Sequence, residues 1–171
     1  MKHIFWMNKK KNPNAKRRSR RDKKGNLTVS AVKKDTWTIF SRYVRRRDCM
    51  ATGSFDTGHC ITCGKLVEFK NGQAGHMVAG RNNSILFDER IVNLQCYSCN
   101  VIKDGDILRY IEVIKSRHGQ AVVDEVIAKS HQVKPWNVAE LLEQQQLFLT
   151  KLAMLDPTDE LVVKYQKRGM L

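Results

Sequence analysis

The chain has 171 residues, 42% of them hydrophobic, and a formal net charge of +14 at pH 7. This length suits one compact domain with appendages and is short for two full cores. No apolar run approaches the ~20 residues needed to cross a bilayer, and the apolar stretch at the start is too short for a secretory signal, so we expect a soluble, cytoplasmic protein.

The excess positive charge lies entirely in the first 50 residues. They hold 17 lysines and arginines against three acidic residues, whereas the rest of the chain holds 14 of each. A cationic arm on a neutral body suits a polyanion, because each neutralised phosphate releases condensed counterions. We therefore expect a nucleic acid partner, with a solubilising tail or an anionic membrane surface as the alternatives. The arm residues expected to contact phosphates are Lys16, Arg17, Arg18, Arg20 and Arg21.

A helix is the first predicted element after this arm. Residues 1–29 are mostly polar and cationic, which predicts a flexible DNA-binding arm. Apolar residues then fall near helical spacing from Ser30, a candidate N-cap, to about Asp48. The folded domain is predicted to span residues 30–155, with residues 156–171 as a tail or short helix. The last helical turn either complements the helix dipole or extends the phosphate-binding surface, through Arg45, Arg46 and Arg47.

A β-hairpin is predicted after the first cysteine pair. The dipeptide Asn71-Gly72 tolerates the positive φ angles of a tight two-residue turn, so residues 66–70 and 73–78 should pair antiparallel. Strand alternation would place His76 on one face of this hairpin. The chain beyond it is predicted to be loop and extended link as far as the second cysteine pair.

The C-terminal half is predicted to be helical. Apolar stripes begin near Ile107, Val122 and Val138, which predicts three helices covering the back of the hairpin. Asn137 and Glu140 form an N-x-x-E pattern typical of a capping box at the start of the third helix. Apolar surface left over on these helices could serve a homodimer.

Four of the five cysteines form two CxxC pairs separated by 32 residues. Without an export signal disulfides are not expected, and the pairs point to a metal. Four sulfur ligands fill a tetrahedral shell and exclude water and substrate, so we predict a structural zinc, with a redox dithiol or an iron–sulfur cluster as alternatives. The predicted zinc ligands are Cys60, Cys63, Cys96 and Cys99, while Cys49 is expected to be a buried small apolar residue.

The two cysteine pairs enclose His76, and Asn100 directly follows the second pair. Zinc would hold the two pairs together and make the hairpin face the start of the next helix. This layout resembles the ββα-metal, or His-Me finger, core of HNH nucleases, which implies a zinc-stapled α+β fold. In nucleases of that type a histidine takes a proton from water, and an oxygen ligand at the helix start holds a divalent cation. The structural alternatives are a helix N-cap for Asn100 and a backbone-bonded strand histidine for His76.

Four segments resemble the NinG/Rap recombination endonucleases of lambdoid phages, over roughly residues 37–155. They read "HCITCGK", "AGHMVAGRNNSILFDER", "LQCYSCNVIKDGD" and "LRYIEVIKSRHGQAVVDEV". The CxxC…H…CxxCN order is also similar to phage endonuclease VII. The resemblance implies cleavage of branched double-stranded DNA, such as D-loops and Holliday junctions, in the host cytoplasm. Recombination proteins are further partners that it suggests.

Carried over by position, the resemblance implies His76 as general base and Asn100 as a ligand of Mg²⁺ or Mn²⁺. Many HNH enzymes have an aspartate directly before the histidine, but Gly75 stands there. Either another side chain completes the metal shell or His76 itself binds the metal. Asp88 and Glu89 are the candidates for the missing carboxylate. Further candidates are Asn93, as an orienting residue behind them, and Asp104 and Asp106, which rank lower.

Arg81 and Arg90 lie on either side of this candidate centre. They could clamp a phosphate by bidentate contacts or form salt bridges with Asp88 or Glu89. Two other functions remain open for the whole chain. One is a non-catalytic zinc module that binds nucleic acid, in which Gly75 marks a decayed centre, and the other is an HNH nuclease that cuts linear duplex.

Overall fold

The structure, a computed structural model, describes residues 20–78 and 84–171. It has an α+β fold, as the sequence predicts, with helices, a short π-helical turn and two small antiparallel sheets. In chain order the elements are α1 (Val29–Met50), β1 (Thr57–His59), β2 (Leu66–Glu68), β3 (Gln73–His76), β4 (Val92–Gln95), the π-helical turn (Ser98–Ile102), α2 (Ile107–His118), α3 (Gln120–Ser130), α4 (Val138–Leu155) and α5 (Glu160–Gln166).

Helix α1 is the central element of the fold. It packs along α4 on one side and against β1, β3 and β4 on the other. Its apolar stripe includes Ile39, Phe40 and Val44, all at most 1% exposed. The N-cap is Thr28, whose hydroxyl accepts a hydrogen bond from the Ala31 amide at 3.3 Å, and not Ser30 as expected. The predicted helix is therefore confirmed, with a start two residues earlier.

Part of the expected basic arm is folded against α1. Asp22 closes a turn by accepting hydrogen bonds from the amides of Lys24 and Asn26 at 2.8 and 2.9 Å. Arg20 pairs with Asp35 of α1, with Nη1 3.2 Å from Oδ1. Three of the expected arm contacts, Lys16, Arg17 and Arg18, lie outside the described residues, as does Arg81.

The predicted hairpin between residues 66–70 and 73–78 is wrong. Strand β2 pairs with β1, and β3 pairs with β4. Gly72 has no positive φ, and a Cβ there would lie only 2.3 Å from the Leu94 side chain, so this glycine serves close packing instead of a tight hairpin turn. Strand β4, the partner of β3, is buried along its whole length.

The predicted C-terminal helices are confirmed as α2, α3 and α4. The capping box is confirmed as well, since the Asn137 side chain accepts from the Glu140 amide and the Glu140 carboxylate accepts from the Asn137 amide. A large core includes Tyr110 and Phe148, and a smaller apolar cluster surrounds the cysteines. Within the described residues, no helix combines the length and apolarity that a membrane span requires.

Candidate metal centre and adjacent polar site

The structure brings the four predicted zinc ligands together. The turn between β1 and β2 carries Cys60 and Cys63, while Cys96 directly follows β4 and Cys99 lies in the π-helical turn. Their sulfur atoms all lie within 4.8 Å of one another, and the sulfurs of Cys63 and Cys96 are 3.9 Å apart. Sulfur ligands at ~2.3 Å from a tetrahedral ion are separated by about 3.8 Å. The four cysteines could therefore hold a metal such as zinc.

The environment of this cluster shifts the thiol pKa values in different directions. Burial raises the pKa of Cys99 to about 12, with hydrogen bonding to Cys63 adding to the effect. Burial alone would also raise the pKa of Cys60, but backbone hydrogen bonds from Cys96, Cys63 and Thr62 lower it to about 6. A metal must therefore displace protons from some of these thiols when it binds.

Cys49 lies beside the cluster but outside the group that could hold a metal. It is fully buried at the end of α1 and packs with Val67, Leu94 and two of the four cysteines. Burial raises the pKa of its thiol. This is the small apolar role expected for Cys49.

Asn100 lies within the π-helical turn, directly after Cys99, and does not cap a helix. Its side-chain Nδ2 donates a hydrogen bond to Oε1 of Gln73 on β3. This contact turns Oδ1 of Asn100 towards Gly75. A Cβ on Gly75 would lie 2.8 Å from that oxygen. The structure thus places Asn100 against position 75, one residue before His76.

His76 ends β3, and its imidazole contacts Leu86 and Trp37. Its Nε2 atom is 3.0 Å from the carbonyl oxygen of Leu86, and its ring stacks on Trp37 with centroids 4.9 Å apart. Because a carbonyl oxygen can only accept, Nε2 must carry the proton, which puts the lone pair of a neutral ring on Nδ1. The hydrogen bond to a backbone carbonyl is the one expected if His76 had only a structural role. The same bond leaves the Nδ1 lone pair in place, which is the tautomer that a general base needs.

A buried network holds the pair β3–β4 behind these groups. The Tyr110 hydroxyl lies 3.0 Å from the carbonyl oxygens of both Gly75 and Ile91. Asn93 faces Gly75 in the strand pairing, and its Nδ2 donates to the Tyr110 hydroxyl at 3.1 Å. Arg47 donates to the Asn93 side-chain oxygen, also at 3.1 Å. Asn93 is therefore a buried residue that links Tyr110 of α2 and Arg47 of α1 to β4.

The two candidate carboxylates are already paired with cationic side chains. Asp88 binds Arg90, with Oδ2 2.6 Å from Nη2, and Glu89 accepts from Lys151 and from the Tyr43 hydroxyl. Arg90 also contacts Glu125 at 2.9 Å. Of the two roles considered for Arg90, the salt bridge is the one that the structure contains.

The three arginines at the end of α1 are internal cross-links. Arg46 is 7% exposed and pairs with Asp156 at 2.8 Å, so the expectation that it extends a phosphate-binding surface is not met. Arg47 donates to the carbonyl oxygens of Glu89 and Val92, both at 2.9 Å. Arg45 donates to the carbonyl of Phe69 at 2.9 Å. DNA contact by Arg45 and Arg47 stays a prediction.

The lower-ranked aspartates shape the turn before α2. Asp104 and Asp106 adopt positive φ angles of 50° and 49°. Asp106 forms an ion pair with Lys103 at 3.4 Å. These contacts give both residues a local role in the chain reversal.

Sequence reasoning missed several residues of the polar site. Gln73 orients Asn100, Trp37 stacks on His76, and Gln95 lies against Gly75. Only Gln95 carried a positional signal, since it directly precedes Cys96. A neutral amide in a strand has no motif that would identify it as part of a site.

Comparison with known proteins extends the likeness over most of the chain. A family model described as "NinG: Bacteriophage Lambda NinG protein" matches residues 6–158. The protein ninG of Escherichia phage 933W is 33% identical over 81 residues, which cover 47% of this chain and 40% of that protein. Those of Escherichia phage lambda and Salmonella phage P22 are 32% identical over 81 residues, covering 47% of this chain and 39% of each relative. The matched part thus spans about two-fifths of the length of these curated relatives, and no solved structure matches.

Proposed function

This chain belongs to the NinG family of phage proteins, and from that premise we propose that it is a metal-dependent endonuclease acting on branched DNA. One juxtaposition carries the proposal. The amide oxygen of Asn100 lies against Gly75, and the next residue along β3 is His76 in the tautomer with its lone pair on Nδ1. Asn100 directly follows Cys99 of the four-cysteine cluster, and His76 ends β3, the strand that pairs with β4 just before Cys96. A His-Me finger centre combines a histidine base with an oxygen ligand of a divalent cation, and these two groups fit that combination.

The chemistry of the two groups fits hydrolysis of a phosphodiester. A side-chain amide oxygen is a hard ligand suited to Mg²⁺ or Mn²⁺. A divalent cation bound there would stabilise the negative charge on the scissile phosphate and the departing oxygen. The lone pair on Nδ1 of a neutral His76 can accept a proton from water near pH 7. Zinc ligated by four sulfurs would have no open coordination position, so its role would be structural.

The proposed reaction balances in a single displacement. Nδ1 of His76 takes a proton from water while the water oxygen bonds to phosphorus and the bond from phosphorus to the 3′ oxygen breaks. The departing oxygen takes a proton from solvent, which leaves 5′-phosphate and 3′-hydroxyl ends. The rigid seat of His76 between Trp37 and Leu86 supports this role, because a positioned base needs no ordering when substrate binds.

Branched DNA is proposed as the substrate because the sequence resembles recombination endonucleases and the net charge of +14 favours a polyanion. A homodimer would present two such centres to the paired strands of a junction. The rival is a zinc module that binds nucleic acid without cutting it, and Gly75 favours this rival because no carboxylate precedes His76.

A cleavage assay separates these functions. Labelled Holliday junction, D-loop and linear duplex are incubated with the full chain in Mg²⁺, Mn²⁺ or EDTA. We expect cleavage of the branched substrates in Mg²⁺ or Mn²⁺ and none in EDTA. Binding without cleavage in any metal would establish the module, and equal cleavage of linear duplex would establish a nuclease without junction preference. Loss of cleavage in His76→Ala excludes a contaminating nuclease.

A further inference from the structure

Gln95 carries a buried oxygen that the fold leaves unpaired. It is the last residue of β4 and is 0% exposed. Its Nε2 donates two hydrogen bonds, to the Thr62 hydroxyl at 2.6 Å and to the Gly105 carbonyl oxygen at 2.9 Å. Its Oε1 atom is buried and has no hydrogen-bond partner in the described part of the chain.

The orientation of this amide is fixed by its neighbours. The carbonyl oxygen of Gly105 can only accept, so the nitrogen of the Gln95 amide must be the atom that faces it. A flipped amide would set two oxygens against each other. Oε1 is therefore the atom directed away from Gly105, and a buried acceptor of this kind requires a partner.

Oε1 is directed at Gly75 and Asn100. A Cβ on Gly75 would lie 1.8 Å from Oε1 of Gln95 and 2.8 Å from Oδ1 of Asn100. The two amide oxygens are consequently closer to each other than the sum of those distances. Donation from Nδ2 of Asn100 to Gln73 holds the Asn100 oxygen in this direction. Two acceptors that converge in this way cannot bond to each other, whereas a cation bound by both would give each oxygen a partner.

We infer that Oε1 of Gln95 is the second protein ligand of the divalent cation held by Asn100. The inference rests on the proposed function for the identity of the cation, and on the unpaired buried oxygen for the identity of the ligand. Two oxygens bound to one Mg²⁺ or Mn²⁺ at ~2.1 Å lie at most about 4.2 Å apart, which the convergence of these atoms allows. The position of the Gln95 amide also explains why residue 75 is a glycine, since any side chain there would collide with that amide.

The ligand set differs in charge from one that contains an aspartate. Both amide oxygens are neutral, so the free chain should bind Mn²⁺ weakly, with DNA phosphate supplying the anionic ligand. Asp88 and Glu89 stay in their ion pairs with Arg90 and Lys151.

Paramagnetic broadening by Mn²⁺ tests the inference in the wild-type chain loaded with zinc. Substoichiometric Mn²⁺ should broaden the side-chain amide signals of Gln95 and Asn100 in a ¹⁵N spectrum. Gln145 is the matched control, because it is a buried glutamine of α4 at 3% exposure that this site does not include. Equal broadening at Gln95 and Gln145 would overturn the inference, since it would mean that the Gln95 oxygen binds only water.

A substitution provides the quantitative test. Gln95→Met keeps the side-chain length and removes the oxygen, so Mn²⁺ affinity measured by electron paramagnetic resonance should fall roughly 10–100-fold. Gln145→Met should keep wild-type affinity, and zinc content should be unchanged in both. A Gln95→Met variant that retains zinc and wild-type Mn²⁺ affinity would refute the ligand role. If this variant does not fold, the broadening experiment on the wild-type chain decides.

An exchange of ligands provides a rescue that a merely structural role would not produce. Gly75→Asp combined with Gln95→Ala moves the oxygen to position 75 and vacates the space it needs, so Mn²⁺ binding should return. Failure of the inference is distinguishable from failure of the proposed function. If Mn²⁺ binds at Gln95 but the chain does not cut DNA, only the proposed nuclease function is refuted. If the chain cuts DNA but its Mn²⁺ affinity does not depend on Gln95, only the ligand role of Gln95 is refuted.

Discussion

The rings of His76 and Trp37 lie face to face, with their planes only 13° apart. Together with the bond from Nε2 of His76 to the Leu86 carbonyl, this stack fixes both the orientation and the tautomer of the imidazole. Trp37 belongs to α1 and His76 ends β3, so the proposed base is positioned by the packing of a helix on a strand. Pre-organisation of this kind is what a positioned catalytic group requires.

The first prediction concerns the catalytic role of His76. His76→Ala should lower the single-turnover rate of junction cleavage by roughly 10²–10⁴-fold, because the proton acceptor is lost. Junction affinity should stay near that of the wild type, since the ring is not a phosphate contact. Trp37→Phe, which keeps an aromatic ring against His76, serves as the control and should lose far less rate. A His76→Ala variant that cuts at the wild-type rate would exclude the imidazole as the base.

The second prediction concerns the cysteine cluster and pH. One zinc per chain should be found by mass spectrometry, and Cys99→Ser should reduce that content, whereas Cys49→Ala should not. Because burial raises the pKa of Cys99 to about 12 and also raises that of Cys63, both thiols must lose protons when zinc binds. Zinc affinity should therefore fall as the pH is lowered from 8 to 6. Chelator competition at these pH values measures it, and affinity independent of pH would contradict metal binding by these thiols.

The third prediction concerns the Tyr110 hydroxyl, which joins β3 to β4. Tyr110→Phe removes the hydroxyl, which shares its one proton between the carbonyls of Gly75 and Ile91 and accepts from Asn93, and leaves these groups buried. The free energy of unfolding should fall by about 1–3 kcal/mol. Urea denaturation measures this change, with zinc content as the check that the cluster is intact. Tyr165→Phe on α5 is the control for loss of a tyrosine hydroxyl remote from the strands.

Features encoded by local spacing could be predicted from the sequence. The helices α2 to α4 follow from apolar periodicity, the capping box from Asn137 and Glu140, and the cysteine cluster from two CxxC pairs. Each depends on residues a few positions apart or on a ligand chemistry that few other arrangements use.

Features decided by distant packing could not be predicted. Strands β1 to β4 have three or four residues each, too few for alternation to select a partner, and the turn at Gly72 serves contact with Leu94. Arg46 looks like any arginine of a basic helix end until Asp156 is placed beside it. Gln95 is a neutral strand residue whose significance appears only when Gly75 and Asn100 converge on its oxygen.

The final prediction separates the basic arm from these internal arginines. Residues 1–19 contain seven lysines and arginines. If they contact phosphates, their removal should lower the slope of log affinity against log salt concentration by up to about 6 for duplex DNA. Arg46→Met removes one cation from the interior and should lower Tm while leaving the salt slope unchanged, since Arg46 is paired with Asp156. Fluorescence anisotropy between 50 and 200 mM salt, a window in which such contacts dominate affinity, measures both variants. An unchanged slope after removal of residues 1–19 would assign DNA binding to the folded domain and leave the arm without that role.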